Sequence, residues 1–537
     1  MLFAVRTATA LHRLLDIRPA LAGDRRIEPF FTLVPGSDFS ADALAALDGL
    51  GARCVPWDEA VESAYGLILA ASPNGDLQRL NGPLALLPHG AGFSKRLPYT
   101  RGDDSANGLN PAQLLRDGRP LADLHTLAHP HQLTRLAADC PAATAPATVV
   151  GDPTLDRLLE SQPRRDRYRE ALGTGGRRLI ALVSTWGEQS LFWRRPELPR
   201  RLVTELPYDA YQVALALHPN EHSHAGRFTL NQQLAPALNA GLVLANPYEE
   251  WGAVLVAADC VITDHGSTAL YAAALDRPLV NAYDDGDELL PGTPMAELLE
   301  RTPYLDDRAP YEAQLDAALA DQRPGAGRTL AASAFAEQNR SLERLREHLY
   351  RLLGLAPPPW PVEPSPLPVP AARAHHPVTA FTVDTEVHGD EIRVVRRPAS
   401  GPAGRHLAAE EDLAGLRHVQ SAGLLFRRAD GALSPGTADG WTARTLDAYP
   451  GCRTAAAALT AHHYALRARY VRDGALLSAR IEEPTARDSA AVLSGLHAWL
   501  AADPHPVLPA RVRCVVAGQA VAVRLALASD DQVPAAS

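Results

Sequence analysis

Short apolar runs alternate with segments of helical spacing over the first 350 or so residues of the chain. Residues 2–6 form one compact apolar run, and residues 8–15 repeat apolar positions at three- and four-residue intervals. Residues 27–34 are rich in β-branched and aromatic side chains, and residues 41–50 return to helical spacing. Further short runs follow at 52–55, 66–71 and 84–87. The pattern restarts at 178–183 and continues at 212–217, 241–244, 260–263 and 278–283. Strands alternating with helices predict parallel sheets covered on both faces. The fold class expected is therefore α/β, with two Rossmann-like lobes at residues 1–160 and 161–355. Lobes in tandem commonly hold a ligand between them, at the carboxyl ends of the strands. Residues 328–353 read as one long helix of mixed charge that closes the second lobe.

Eight of residues 356–370 are proline, which predicts a stiff polyproline-type linker. A smaller α+β domain is expected at 371–537. It shows alternating strands at 378–387 and 392–396, and a hairpin signal at Asp473-Gly474 between 464–471 and 475–480. A helix at 490–502, capped by Asp488 or Ser489, and a strand-like stretch at 512–527 complete it. No catalytic motif stands in this domain.

Composition narrows the function classes. Of 537 residues, 46% are hydrophobic and 21% charged, with a net charge of −10. An acidic chain is a poor match to nucleic-acid binding by phosphate neutralisation, so no nucleic-acid partner is expected. No apolar run approaches the roughly 20 residues a membrane helix needs. The first residues lack the basic head and longer apolar stretch of a signal peptide. Five scattered cysteines form no CxxC pair, so no disulfide framework and no metal site is expected. The expected location is cytoplasmic, including the inner face of the membrane as a peripheral site.

Four segments at strand ends carry candidate chemistry. In Leu86-Leu-Pro-His89-Gly90-Ala91-Gly92, a histidine precedes glycines that let a ligand approach the backbone, which suits acid–base work by His89. Val149-Val-Gly151-Asp-Pro153 reads as a strand, a turn and a helix start that mark the joint between lobes. In Leu217-His218-Pro219, proline stops the strand and fixes an extended approach for the imidazole. His222 and His224 follow and are expected in a solvated loop. The segment Cys260-Val-Ile-Thr263-Asp264-His-Gly266-Ser267-Thr268 runs from an apolar strand through a turn into an alanine-rich helix. Backbone N–H groups and hydroxyls at that helix start offer an anion site, with a diphosphate as the expected occupant. An ordinary helix cap by Ser267 or Thr268 is the competing reading. There is no GxxxxGK[ST], GxGxxG or GxSxG motif, which weighs against a P-loop NTPase, an NAD enzyme and a serine hydrolase.

With these segments in order, residues 80–285 resemble the CDP-glycerol glycerophosphotransferase family, the teichoic acid polymerase-like enzymes of the GT-B fold. The resembling elements are His89-Gly90 with the downstream Lys95, Val149 to Asp156, Ser184-Thr185-Trp186, His218-Pro219, and Thr263-Asp264 through Ser267 with Arg277-Pro278. The chain departs from the family at Gly266, where the first of two serines would stand. It departs again at Tyr271, where the family places an acidic residue.

The resemblance implies a transferase moving a glycerophosphate, polyol phosphate or sugar from a nucleotide-diphosphate donor to a hydroxyl acceptor, lipid-linked and polymeric acceptors included. It implies no cofactor. It casts His89 as the base and His218 as a contact to the donor phosphates, with Thr185, Asp264, Gly266, Ser267 and Thr268 on the donor and Lys95 and Gly90 near phosphate or acceptor. Alternatives are a nucleotide-sugar glycosyltransferase, an enzyme like UDP-N-acetylglucosamine 2-epimerase, and a non-catalytic scaffold whose C-terminal module binds a protein. Lys95 is the single lysine beside 51 arginines. A compact ammonium and a planar guanidinium are not interchangeable, so Lys95 is expected to face the interlobe cleft.

Overall fold

The computed structural model describes residues 1–37, 40–88, 90–96, 106–371, 378–428, 432–469, 471, 474–483, 488–503 and 505–529. His89 lies outside the described residues. The first lobe is built on six parallel strands, in the order Phe30–Leu33, Leu2–Val5, Ile68–Ala70, Leu84–Leu86, Leu124–Leu127 and Ala147–Val149. The second has five, in the order Val243–Leu244, Tyr211–Leu217, Arg178–Ser184, Cys260–Thr263 and Leu279–Asn281.

Along Arg178–Ser184, Leu179, Ala181 and Val183 join one core while Ile180 and Leu182 join another. A parallel strand covered on both faces needs apolar side chains at successive positions, which is why the sequence shows unbroken runs here rather than alternation. Counted along the chain, the second sheet has strand order 3-2-1-4-5. Its direction of winding reverses between Arg178–Ser184 and Cys260–Thr263, and the loops leaving these two strands diverge to open a crevice. In the first lobe the reversal falls between Leu2–Val5 and Ile68–Ala70. The helix Ala8–Asp16, which leaves Leu2–Val5, forms the opposite wall.

The joint between lobes is made by Gly151 and the helix Pro153–Ser161, whose cap Asp152 accepts the Thr154 and Leu155 N–H groups at 2.9 and 3.0 Å. Gly151 has φ +89°, and a Cβ there would lie 2.9 Å from the Ala336 carbonyl oxygen. The long helix expected at 328–353 is two helices, Ala326–Ala331 and Ser341–Leu353. Glu337 and Asn339 break it with φ of 50° and 63°. Buried Asp156 fixes the break by accepting the N–H groups of Asn339 (2.6 Å) and Ser341 (2.9 Å). Leu342, Leu345, Leu349 and Tyr350 of the second helix then pack into the first lobe's core. Chain order placed this helix with the second lobe, but its apolar face completes the first. Two facing Rossmann-like lobes with a final helix crossing back constitute a GT-B-type arrangement.

The proline-rich stretch is bound to both lobes rather than free. Arg26 donates to the Ala356 carbonyl (2.8 Å), Arg157 to that of Ser365 (3.0 Å) and Tyr168 to that of Leu367 (2.9 Å). A polyproline backbone has no internal hydrogen bonds, so side chains from the lobes satisfy it.

The C-terminal α+β domain is a closed nine-stranded barrel. The helix Ala491–Ala502 is buried on nearly every side, and its Val492, Leu493, Leu496 and Leu500 share one core with strands from around the barrel. A helix without a polar face belongs in an interior, and this one fills the barrel. The continuous stretch expected at 512–527 is two strands, Ala510–Val516 and Gln519–Leu527, turned at Ala517 and Gly518 with φ of 48° and 77°. Asp488 is not that helix's cap, which is Ala490. Among the described residues, no helix is long and apolar enough to cross a membrane, and no group of three or more potential metal ligands occurs.

Candidate functional site

Both second-lobe loops at the reversal are organised by Asp264. Its carboxylate is fully buried and accepts the N–H groups of Thr185 (2.9 Å), Leu191 (2.8 Å) and Gly266 (2.9 Å). A carboxylate satisfied by backbone donors holds loops in place, so Asp264 ties the end of Arg178–Ser184 to the turn after Cys260–Thr263. Gly266 sits close in this packing, where a Cβ would come 3.1 Å from Thr185 Cβ and push it by a few tenths of an ångström. Glu221 acts in parallel on the next loop. It is buried and accepts the Gly187 N–H (3.0 Å) and the Trp193 indole N–H (3.1 Å).

Ser267 and Thr268 follow at the start of the helix Thr268–Ala274. Ser267 has helical backbone angles and its hydroxyl makes no capping bond to the helix. The competing helix-cap reading therefore fails for Ser267. Both residues line a cavity of about 90 Å³ between the lobes. His218 lines the same cavity from the end of Tyr211–Leu217. It caps the helix Pro219–Asn239 by accepting the Asn220 N–H on Nδ1 at 3.1 Å. An accepting Nδ1 carries no proton, so the imidazole is the Nε2–H tautomer and presents a donor from its other nitrogen. His222 and His224 lie on this helix rather than in a loop, and burial pushes the His222 pKa down to about 4.

The first lobe contributes side chains to the cavity that the sequence reading missed. Arg13, from the helix Ala8–Asp16, packs its guanidinium over the rings of Tyr271 (5.3 Å) and Trp251 (5.9 Å). His12 stacks on Tyr248 with centroids 4.9 Å apart and planes 6° from parallel. Arg157 pairs with Asp16 at 2.8 Å. The cavity thus brings the guanidiniums of Arg13 and Arg157, the imidazoles of His12 and His218, and the hydroxyls of Ser267 and Thr268 among others against the carboxylates of Asp16 and Glu249. The sequence signal for Arg13 and Arg157 was faint: arginines on otherwise amphipathic helices read as solvated faces. Tyr271, at the departure from the family pattern, donates to Asp152 at 2.8 Å across the lobe joint, and burial pushes its pKa well above the ordinary value.

Thr185, Asp264, Gly266, Gly90 and Lys95 do not line the cavity. They form the neighbouring contact between lobes. A Cβ on Gly90 would lie 3.6 Å from Ser267 Oγ, and one on Gly92 2.9 Å from Leu270, so this first-lobe loop rests on the start of Thr268–Ala274. Lys95 crosses the cleft and donates to Thr185 Oγ1 (2.9 Å) and Glu288 Oε2 (3.3 Å). Glu288 also meets His265 Nε2 at 2.9 Å. Burial works to raise the Glu288 pKa, but the His265 hydrogen bond and the Lys95 charge outweigh it and hold the carboxyl below its usual value. Burial pushes the His265 imidazole down. Glu288 was not foreseen, although Leu289-Leu290 inside the acidic run from Asp284 to Pro291 is a visible irregularity.

No family model matches the chain, and no curated protein matches it. Solved structures similar to it include the wall teichoic acid polymerase TagF, at 13% identity and TM-score 0.45 over 66% of this chain and 89% of that one. S. aureus MnaA in complex with UDP matches at 14% identity and TM-score 0.42, over 68% of this chain and 99% of that one. Anabaena HepE with UDP and glucose matches at 15% identity and TM-score 0.39, over 66% and 98%. Scores at this level assign no activity to the chain.

Proposed function

We propose that the chain is a transferase that takes a group activated on a nucleoside diphosphate and passes it to a hydroxyl acceptor. The observation that carries this reading is the convergence of His218, Ser267, Thr268, Arg13 and Arg157 on one cavity at the reversal point of the second sheet. As the bond to the transferred group breaks, negative charge grows on the departing diphosphate. Donors fixed beforehand by Asp264 and by the Asn220 cap stabilise that charge without having to reorganise. The proton of the acceptor hydroxyl goes to His89 in this scheme, on the strength of the His-Gly motif. The preferred donor is CDP-glycerol or a related polyol or sugar conjugate, again from the motif resemblance. A glycosyltransferase, or an enzyme like UDP-N-acetylglucosamine 2-epimerase, would use the same phosphate contacts.

A cavity of about 90 Å³ is below the roughly 300–1,000 Å³ of ligand pockets. Donor binding in this scheme therefore requires the lobes to separate. Thermal unfolding in the presence of CDP, UDP and GDP and their glycerol or sugar conjugates tests the reading. One of them should raise the melting temperature of the wild-type protein, and His218→Ala should lose that shift. If none stabilises the wild type at millimolar concentration, the scaffold reading takes its place. Where one does, His89→Ala should bind donor normally and lose turnover.

A further inference from the structure

Between the lobes lies a contact with the design of a clasp. Segments 94–96 of the first lobe and 288–290 of the second pair as an antiparallel bridge. The Arg96 N–H donates to the Glu288 carbonyl (2.8 Å), and the Leu290 N–H donates to that of Ser94 (2.9 Å). Apolar side chains are exchanged as well. Leu290 of the second lobe is 1% exposed and belongs to a core cluster otherwise made of first-lobe residues. Ala91 of the first lobe is 6% exposed and belongs to the core around Leu270 and Tyr271 of the second. The Lys95–Glu288 pair, with Thr185 and His265 on its flanks, stands at the cleft end of this bridge. Gln189 completes the surroundings by accepting the Glu288 N–H at 3.2 Å.

The ion pair is partly open to solvent, with side chains 27% and 34% exposed. The cavity beside it is too small for a nucleotide. Two main-chain hydrogen bonds and one buried leucine are few enough to break without unfolding either lobe, and local openings of this size fall well below the cost of global unfolding.

We propose that segments 94–96 and 288–290 form a releasable clasp that keeps the interlobe cleft shut, with Glu288 as its pin. Leu290 leaving its pocket and Glu288 leaving Lys95 are one event, and that event opens the cavity at Ser267. Glu288 is a positioning residue in this scheme: it holds the lone lysine against Thr185 and touches no reacting atom. The clasp exists whether or not the donor reading holds. Its role in donor entry rests on that reading.

The test uses the full chain without ligand. Hydrogen exchange reads the Arg96 and Leu290 amides. Cleft opening is read separately by thiol labelling of Ser267→Cys in a Cys54→Ser background, because the other four cysteines are buried. In the parent background both amides should exchange slowly. Glu288→Gln should speed their exchange and the labelling of position 267 in step, by about tenfold. Leu290→Ala should act in the same direction and further. Glu288→Gln keeps the side chain's shape, so it decides the matter even where Leu290→Ala fails to fold. Unprotected amides in the parent protein would overturn the clasp. So would faster exchange in Glu288→Gln with labelling at position 267 unchanged, because the bridge would then not gate the cavity. A protein that shows the coupled acceleration but binds no nucleotide would keep its clasp and lose the donor reading.

Discussion

The second lobe makes two large contacts, one with the first lobe and one with the barrel, and they are built on opposite principles. Toward the first lobe it presents a cavity, a Ser267 hydroxyl not used as a cap and an ion pair about a third exposed. Toward the barrel it presents a joint tied by buried, paired charges. Arg396, 1% exposed, donates to Asp209 (2.6 and 2.9 Å) and to Asp488 (2.9 Å). Arg428 shares Asp488 at 3.1 Å, and Tyr208 packs edge-on to Phe381 at 5.1 Å. A Cβ on Gly401 would lie 2.4 Å from the Thr204 carbonyl oxygen, so the two backbones touch. Polar groups with spare capacity belong where a ligand or a movement will use them. Polar groups with every partner in place belong where two bodies stay fixed. In the proposed scheme the barrel therefore moves with the second lobe, and the cleft is the joint that opens.

The sharpest way to break this contrast is at Arg396. Truncation to alanine leaves buried Asp209 without its cation and Asp488 with Arg428 alone. Removing one partner of a buried pair costs about 3–5 kcal/mol. Arg396→Ala should lower the stability of the barrel and its junction by that amount in urea unfolding. Glu288→Gln, at a pair about a third exposed, should change it by no more than about 1 kcal/mol. Equal effects at the two sites would erase the distinction between a fixed and a moving joint.

A second difference concerns acid. Burial pushes His406 down to about 3 and His497 down to about 4, their rings are 4.5 Å apart, and Thr454 meets His497 Nδ1 at 2.9 Å. Both folded pKa values lie below the ordinary 6.5. Above that value neither state is protonated and the pair has no effect on stability. As pH falls below 6.5 the unfolded chain takes up protons that the folded barrel refuses. Each histidine then lowers stability by up to about 1.4 kcal/mol per pH unit until its folded pKa is reached. Barrel unfolding followed from pH 7 to pH 5 should show this slope, and His406→Leu should remove one proton's share of it. An unchanged slope in that variant would place the acid sensitivity elsewhere.

How much of this was legible in the chain follows from the range of the interactions. The lobes were readable because each strand of a parallel sheet carries its own apolar run, and the segments at 185, 218 and 264–268 could be singled out because strand ends are local. The barrel's closure was not readable. It depends on parallel pairings such as Ala408 with Leu424 and Leu424 with Thr454, which leave no local mark. The break at Glu337 and Asn339 was missed because its cause, Asp156, lies some 180 residues earlier. Arg13, Leu290 and Glu288 were missed for a related reason: each acts in the opposite lobe, where only the folded chain brings it.

The finest test lies at Ser267. Its hydroxyl makes no capping bond within its helix and lines the cavity. Ser267→Ala should accordingly leave thermal stability unchanged in the free protein. A neutral hydrogen bond to a bound diphosphate contributes about 0.5–1.5 kcal/mol, so nucleotide affinity should fall about 2- to 13-fold by calorimetry. Asp264→Asn makes the opposing case, because that carboxylate is already spent on three backbone donors, and its loss should appear first as reduced stability. If Ser267→Ala destabilises the free protein and spares affinity, the hydroxyl is part of the scaffold after all, and the line between groups that hold the cleft and groups that wait for a ligand must be redrawn one residue further along the helix.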